Sequence, residues 1–112
     1  EFFETVQKRG AQIIEARGKS SAASAASALV DAVKSLYTKT KDGDWFTTAV
    51  CSDGNTYGVD ENLIVGFPCR SQGDGNYEII RDIPLDFFIK EKLAVSQKEL
   101  LSERECVQHL LK

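Results

Sequence analysis

The sequence predicts an α+β fold in which long helices pack on a small antiparallel sheet. Two observations carry this. Apolar residues recur at helical spacing near both ends of the chain, and the centre is rich in β-branched and aromatic residues punctuated by Gly, Asn and Asp. The order is helices, strands, helices, without the strand–helix alternation of a parallel α/β sheet.

The first helix is expected over residues 2–16, with Phe2, Val6, Gly10 and Ile13 on one face and Phe3 and Ile14 alongside. Gly18 is the expected stop, a residue able to take the left-handed conformation just past a helix end. Ser20 or Ser21 then caps a second helix that runs to about Lys39. Its start is rich in Ala and Ser, and its later stripe is Leu29, Val33, Leu36 and Tyr37. Lys41-Asp42-Gly43-Asp44 reads as a turn and residues 45–51 as a strand. Ser52-Asp53-Gly54-Asn55 is a second turn, and Tyr57-Gly58-Val59 a short further pairing. Residues 63–70 form the next strand, with Pro68 drawing that end toward a sheet edge or bulge. Residues 72–76 form a hairpin loop and residues 77–80 the returning strand. Asp86 caps a short helix over 87–93. Ser96 with Glu99 fits a capping box for a separate final helix, whose Leu100, Leu101, Val107, Leu110 and Leu111 are expected to face the core.

The chain of 112 residues is one domain's worth of sequence, 42% hydrophobic and 28% charged. A net charge of −3 supplies no basic field for nucleic acid or anionic lipid. No apolar run reaches the ~18 residues of a membrane span. Glu1-Phe2-Phe3-Glu4 has neither the basic start nor the apolar stretch of a signal peptide. The chain contains no Met, which fits a processed or excised piece. Cys51, Cys69 and Cys106 are odd in number and widely spaced, so a zinc site is not expected; three buried free thiols in a cytoplasmic protein are.

Little in the chain promises chemistry. His109 stands alone near the expected end of the last helix, where it favours the helix dipole. There is no G-x-S-x-G and no glycine-rich phosphate loop after a strand. Ser20 and Ser21 admit two readings: simple helix caps, or hydroxyls that donate to a bound carboxylate at a helix start.

Three stretches nevertheless resemble one family. They are residues 5–11 running on to Gly18-Lys19-Ser20-Ser21-Ala22-Ala23-Ser24; Ser52-Asp53-Gly54-Asn55-Thr56-Tyr57-Gly58-Val59; and Ile83-Pro84-Leu85-Asp86-Phe87 with Glu91-Lys92-Leu93 and Lys98-Glu99-Leu100. In order and spacing they are similar to the C-terminal part of cytosolic-type NAD-dependent malate dehydrogenase, over essentially the whole chain. Two departures stand out. Gly18-Lys19 replaces a Lys-Leu type pair, and the 72–76 hairpin is about one residue longer than usual.

The resemblance implies residues 1–112 as an incomplete lactate/malate dehydrogenase C-terminal, substrate-binding domain, lacking the NAD-binding Rossmann half. It implies an oxidoreductase that moves hydride between malate and NAD in the tricarboxylic acid cycle, cytoplasmic and homodimeric. In the family, the catalytic His–Asp pair, the substrate arginines and the specificity loop lie before the segment that this chain matches. No catalytic residue is therefore expected here, and the isolated chain is expected to be inactive. Ser20 and Ser21 match the position where a hydroxyl lines the substrate pocket, and Ser24 a position near the nicotinamide. A lactate or other 2-hydroxyacid dehydrogenase on the same scaffold, and a non-catalytic interaction module derived from it, are the alternatives.

Overall fold

The computed structural model describes residues 1–111. The chain divides into two compact units, Glu1–Lys34 and Ser35 to the end of the described chain.

In the first unit, α1 spans Phe2–Arg17 and stops where the sequence puts the stop. Gly18 sits at φ 72°, and its N–H donates to the Ile14 carbonyl at 2.7 Å. A residue without Cβ takes this conformation at no steric cost. The α2 helix spans Ala22–Tyr37, and the boundary between the units falls inside it, after Lys34. The expected apolar stripes are largely open. Phe2, Phe3, Val6, Leu29 and Val33 are all exposed, while Ile13 is half-buried.

The second unit is a three-stranded antiparallel sheet, β1 (Phe46–Cys51), β2 (Ile64–Arg70) and β3 (Glu78–Ile79), in that spatial order. The register pairs Phe46 with Cys69, Thr48 with Phe67 and Val50 with Val65. Because side chains alternate along a strand, this register puts all six on one face. That face holds the core: Val50, Phe67 and Cys69 are buried in it, joined by Val59 and Leu63. Phe46, Tyr57, Val65, Ile79, Leu93, Leu100 and Leu101 pack around them.

Pro68 was expected near an edge, yet it lies in the central strand. Its carbonyl accepts from Ile80 N at 2.9 Å, so the missing N–H falls on the β3 side. There the β2–β3 ladder is only two residues long, Cys69–Ile79 and Arg70–Glu78. The proline is tolerated because the pairing runs out beside it.

The hairpin between β2 and β3 wraps the end of α2. Ser71 Oγ donates to the Leu36 carbonyl at 2.6 Å, and Gly75 N–H to the same oxygen at 3.1 Å. These bonds satisfy a carbonyl that the helix leaves open, and the helix ends at Tyr37, two residues short of expectation. Gly75 has φ 85°, and a Cβ there would lie 3.0 Å from the Tyr37 ring. Gly75→Ala is therefore expected to cost about 1–2 kcal/mol from the left-handed backbone alone. Urea denaturation measures it; an unshifted midpoint would show that the hairpin relaxes without cost.

The sequence expectation of two C-terminal helices is wrong: α3 is continuous over Phe87–Val107. Asp86 caps it as expected, accepting from Ile89 N at 2.8 Å. Ser96 is not a cap, because no Gly or Pro interrupts residues 86–106 and the helix simply continues. The adjacent Gln97 is gripped from outside the helix: its Oε1 accepts from Asp60 N at 3.1 Å and its Nε2 donates to Asp60 Oδ1 at 3.3 Å. Leu93, Gln97, Leu100, Leu101 and Arg104 form the half-buried stripe. Beyond Arg104, which donates to the Glu61 carbonyl at 3.2 Å, the stripe stops. Val107, Leu110 and Leu111 are exposed, not core.

Candidate functional site

Ser20 and Ser21 lie in the short link between Gly18 and the first residue of α2, Ala22; Ser20 is exposed and Ser21 half-buried. Ser24 is in the first turn of α2, and its Oγ donates to the Ser21 carbonyl at 3.1 Å. This bond ties Ser24 to Ser21, with Ser20 next to them in sequence. It also commits the Ser24 proton inward, leaving that oxygen's lone pairs as its outward function. The first turn of α2 carries no acidic residue, so the helix's free N–H groups and partial positive charge meet no carboxylate of their own. An incoming carboxylate suits that arrangement.

The second family-like stretch proves structural. Residues 57–59 are not a strand but the far side of a turn built on Asn55. Asn55 Nδ2 donates to the carbonyls of Ser52 and Val59, and its Oδ1 accepts from Tyr57 N at 2.9 Å and Val59 N at 3.2 Å. With both backbone groups of Val59 committed to a side chain, no strand partner is needed. Ser52 is fully buried; its Oγ donates to the Asp60 carbonyl at 2.6 Å and accepts from Leu63 N at 3.1 Å. Asp53 accepts from Asn62 N at 2.7 Å. Tyr57 stacks on Phe67 with ring centroids 5.8 Å apart, while its hydroxyl donates to the Ile80 carbonyl and accepts from Ile83 N at 3.4 Å. The motif thus joins the β1–β2 connection to the chain leaving β3. The Asn and Ser at that spacing were the available signal, since both bond readily to nearby backbone.

A polar cleft of about 400 Å³ opens beside Cys51, Asp53, Tyr77, Glu78 and Arg81. It contains none of the three serines and mixes both signs of charge. His109 is exposed in a single 3-10 turn, Gln108–Leu110, after α3. No group of His, Cys, Asp or Glu among the described residues is arranged to hold a metal ion, and no helix is long and apolar enough to cross a membrane.

The cysteines are free, but only Cys69 is buried; Cys51 is half-buried and Cys106 exposed. The expectation of three buried thiols fails because Cys106 lies two positions past Arg104, where the helix has turned roughly 200° away from the packed stripe. Burial pushes the Cys69 thiol up, which disfavours the reactive thiolate. Iodoacetamide should label Cys106 first and Cys69 only after unfolding, as read by peptide mass spectrometry. Equal labelling of both in the native protein would contradict the packing.

Residues 1–111 match the lactate/malate dehydrogenase, alpha/beta C-terminal domain. The chain belongs to that family. It is 53% identical over its full length to a malate dehydrogenase of Protochlamydia amoebophila, covering 34% of that protein. It is 49% identical over 110 residues, 98% of its length, to the chloroplastic NADP malate dehydrogenase of Pisum sativum, covering 25% of it. Among solved structures, a malate dehydrogenase from Naegleria fowleri superposes with a TM-score of 0.88 at 38% identity, over 99% of this chain and 33% of that one. A Trichomonas vaginalis lactate dehydrogenase in complex with NADH and oxamate gives 0.86 at 28% identity, over 96% of this chain and 33% of that one. The chain thus spans a quarter to a third of the length of these relatives.

Proposed function

We propose that this chain is the C-terminal, substrate-side part of a malate dehydrogenase, interconverting malate and oxaloacetate with NAD once a dinucleotide-binding half completes the site. Support for malate comes from identity near one half to proteins named malate dehydrogenase, against 28% to the lactate enzyme. The cofactor is less marked in this segment: similar identity to a chloroplastic NADP enzyme and to a bacterial malate dehydrogenase leaves the phosphate to be read elsewhere in the protein. NAD, a cytoplasmic location and a homodimer complete the reading.

The observation that carries the site is the Ser21–Ser24 unit at the acid-free start of α2. In the proposed complex the hydroxyl of Ser20 or Ser21 donates to a substrate carboxylate or keto oxygen, and the helix start adds its partial charge. Ser24, its proton held by the Ser21 carbonyl, would lie near the nicotinamide with its lone pairs available to accept a hydrogen bond. The chain's own residues bind and orient; hydride and proton transfer belong to the bound cofactor and to the His–Asp pair expected in the other half.

In the full-length enzyme, Ser21→Ala should raise the KM for oxaloacetate roughly tenfold, the effect of losing one hydrogen bond of about 1–1.5 kcal/mol. Unchanged steady-state kinetics for both Ser20→Ala and Ser21→Ala would reduce these residues to helix caps. The purified 112-residue chain should give no malate-dependent NAD reduction; turnover by that chain would overturn the assignment of the chemistry to residues outside it.

A further inference from the structure

The sequence contains three Asp-Gly pairs, Asp42-Gly43, Asp53-Gly54 and Asp74-Gly75. Such pairs are open to a spontaneous reaction. The glycine amide nitrogen attacks the aspartate side-chain carbon, the carboxyl hydroxyl leaves with the amide proton as water, and a five-membered succinimide forms. One water then reopens the ring at either carbonyl. Opening at the main-chain carbonyl reroutes the backbone through the β-carbon, giving isoaspartate. The balance needs only water, and the reaction is selected by how freely carboxyl and amide can meet.

One of the three pairs is restrained at both carboxyl and amide, and a second at the carboxyl. Asp74 Oδ1 accepts from Asn76 N at 3.1 Å and its Oδ2 from Asn76 Nδ2 at 3.2 Å, while Gly75 N–H is donated to the Leu36 carbonyl at 3.1 Å. Those same Asn76 groups hold the Asp74 carboxyl below its usual range, away from the neutral acid that cyclises most readily. Asp53 is restrained by Asn62 N at 2.7 Å. Asp42 and Gly43 differ. Both are exposed, as Asp53 and Gly54 also are, and lie at the middle of a turn closed by Asp44 N donating to the Lys41 carbonyl at 3.1 Å. Arg70 fixes the two ends of that turn, donating to the Lys41 carbonyl at 3.1 Å and the Asp44 carbonyl at 2.9 Å. Among the described residues neither the Asp42 carboxylate nor the Gly43 N–H has a hydrogen-bond partner, so the free carboxylate is what separates this pair from Asp53-Gly54, whose glycine is equally open.

We propose that the Asp42–Gly43 turn is the site of succinimide and isoaspartate formation in this protein. The product adds one backbone carbon between the two carbonyls that Arg70 holds, so the mark falls on the turn that leads into β1.

The test is ageing of the full-length protein at mildly acidic pH. It is followed by peptide mapping with fragmentation that distinguishes isoaspartate, and by labelling with isoaspartyl methyltransferase. Native protein should accumulate isoaspartate severalfold faster at Asp42 than at Asp53 or Asp74, and Asp42→Glu, which cannot close a five-membered ring, should lose most of the label. In urea the three pairs should react at similar rates. Equal rates in the native protein, a faster rate at Asp53 or Asp74, or no isoaspartate at Asp42 while the urea sample forms it, would each overturn the proposal.

Discussion

Phe67→Ala should destabilise the second unit by about 3–5 kcal/mol, the range for truncating a buried aromatic side chain. Phe67 is 2% exposed, faces the core from the central strand, and carries the stacked Tyr57 ring. Among the described residues the buried core comprises five hydrophobic side chains, so neighbours have little to collapse into the cavity. A loss of this size is comparable with the whole stability of many small domains. Phe67→Leu keeps an apolar side chain and should lose about half as much or less. Urea unfolding followed by tyrosine fluorescence reads both, and a Phe67→Ala midpoint within error of the parent would mean that the core lies elsewhere.

Asn55→Ala should cost roughly 2–4 kcal/mol, from several side-chain bonds worth about 1 kcal/mol each and the backbone groups left without partners. The substitution strips the amides of Tyr57 and Val59 and the carbonyls of Ser52 and Val59 of their side-chain partner at once. Asn55→Asp keeps the acceptor and loses the donor, so it should recover only part of the stability. Hydrogen exchange provides a local reading: the Val59 and Tyr57 amides should lose protection in Asn55→Ala while the β1–β2 ladder keeps most of its own. Full protection of both amides would show that the turn holds without Asn55.

The elements that local chemistry decides were legible in the sequence. Gly18 ends α1, Asp86 caps α3, and β-branched and aromatic runs mark β1 and β2, because each depends on one or two adjacent residues. The misreadings share a different cause. Ser96 has the pattern of a cap, but α3 runs on through it while Gln97 is held by Asp60, 37 positions away in sequence. Val59 suggests a strand, but a side chain four residues earlier takes its amide. Val107, Leu110 and Leu111 continue an apolar rhythm past the point where α3 still packs on the sheet, and periodicity cannot show where a partner ends. The serines are singled out by family resemblance alone, since a hydroxyl before a helix reads locally as a cap. The Ser24-to-Ser21 bond, which commits the Ser24 hydroxyl proton, is visible only in the folded chain.

Steady-state kinetics of the full-length protein test the central reading most directly, with oxaloacetate and pyruvate compared as substrates and NADH and NADPH as reductants. Turnover is expected with kcat/KM for oxaloacetate far above that for pyruvate, and with a preference for NADH. A preference for pyruvate would place this scaffold in a lactate dehydrogenase, a preference for NADPH would reassign the cofactor, and absence of turnover with every pair would contradict the proposed enzyme.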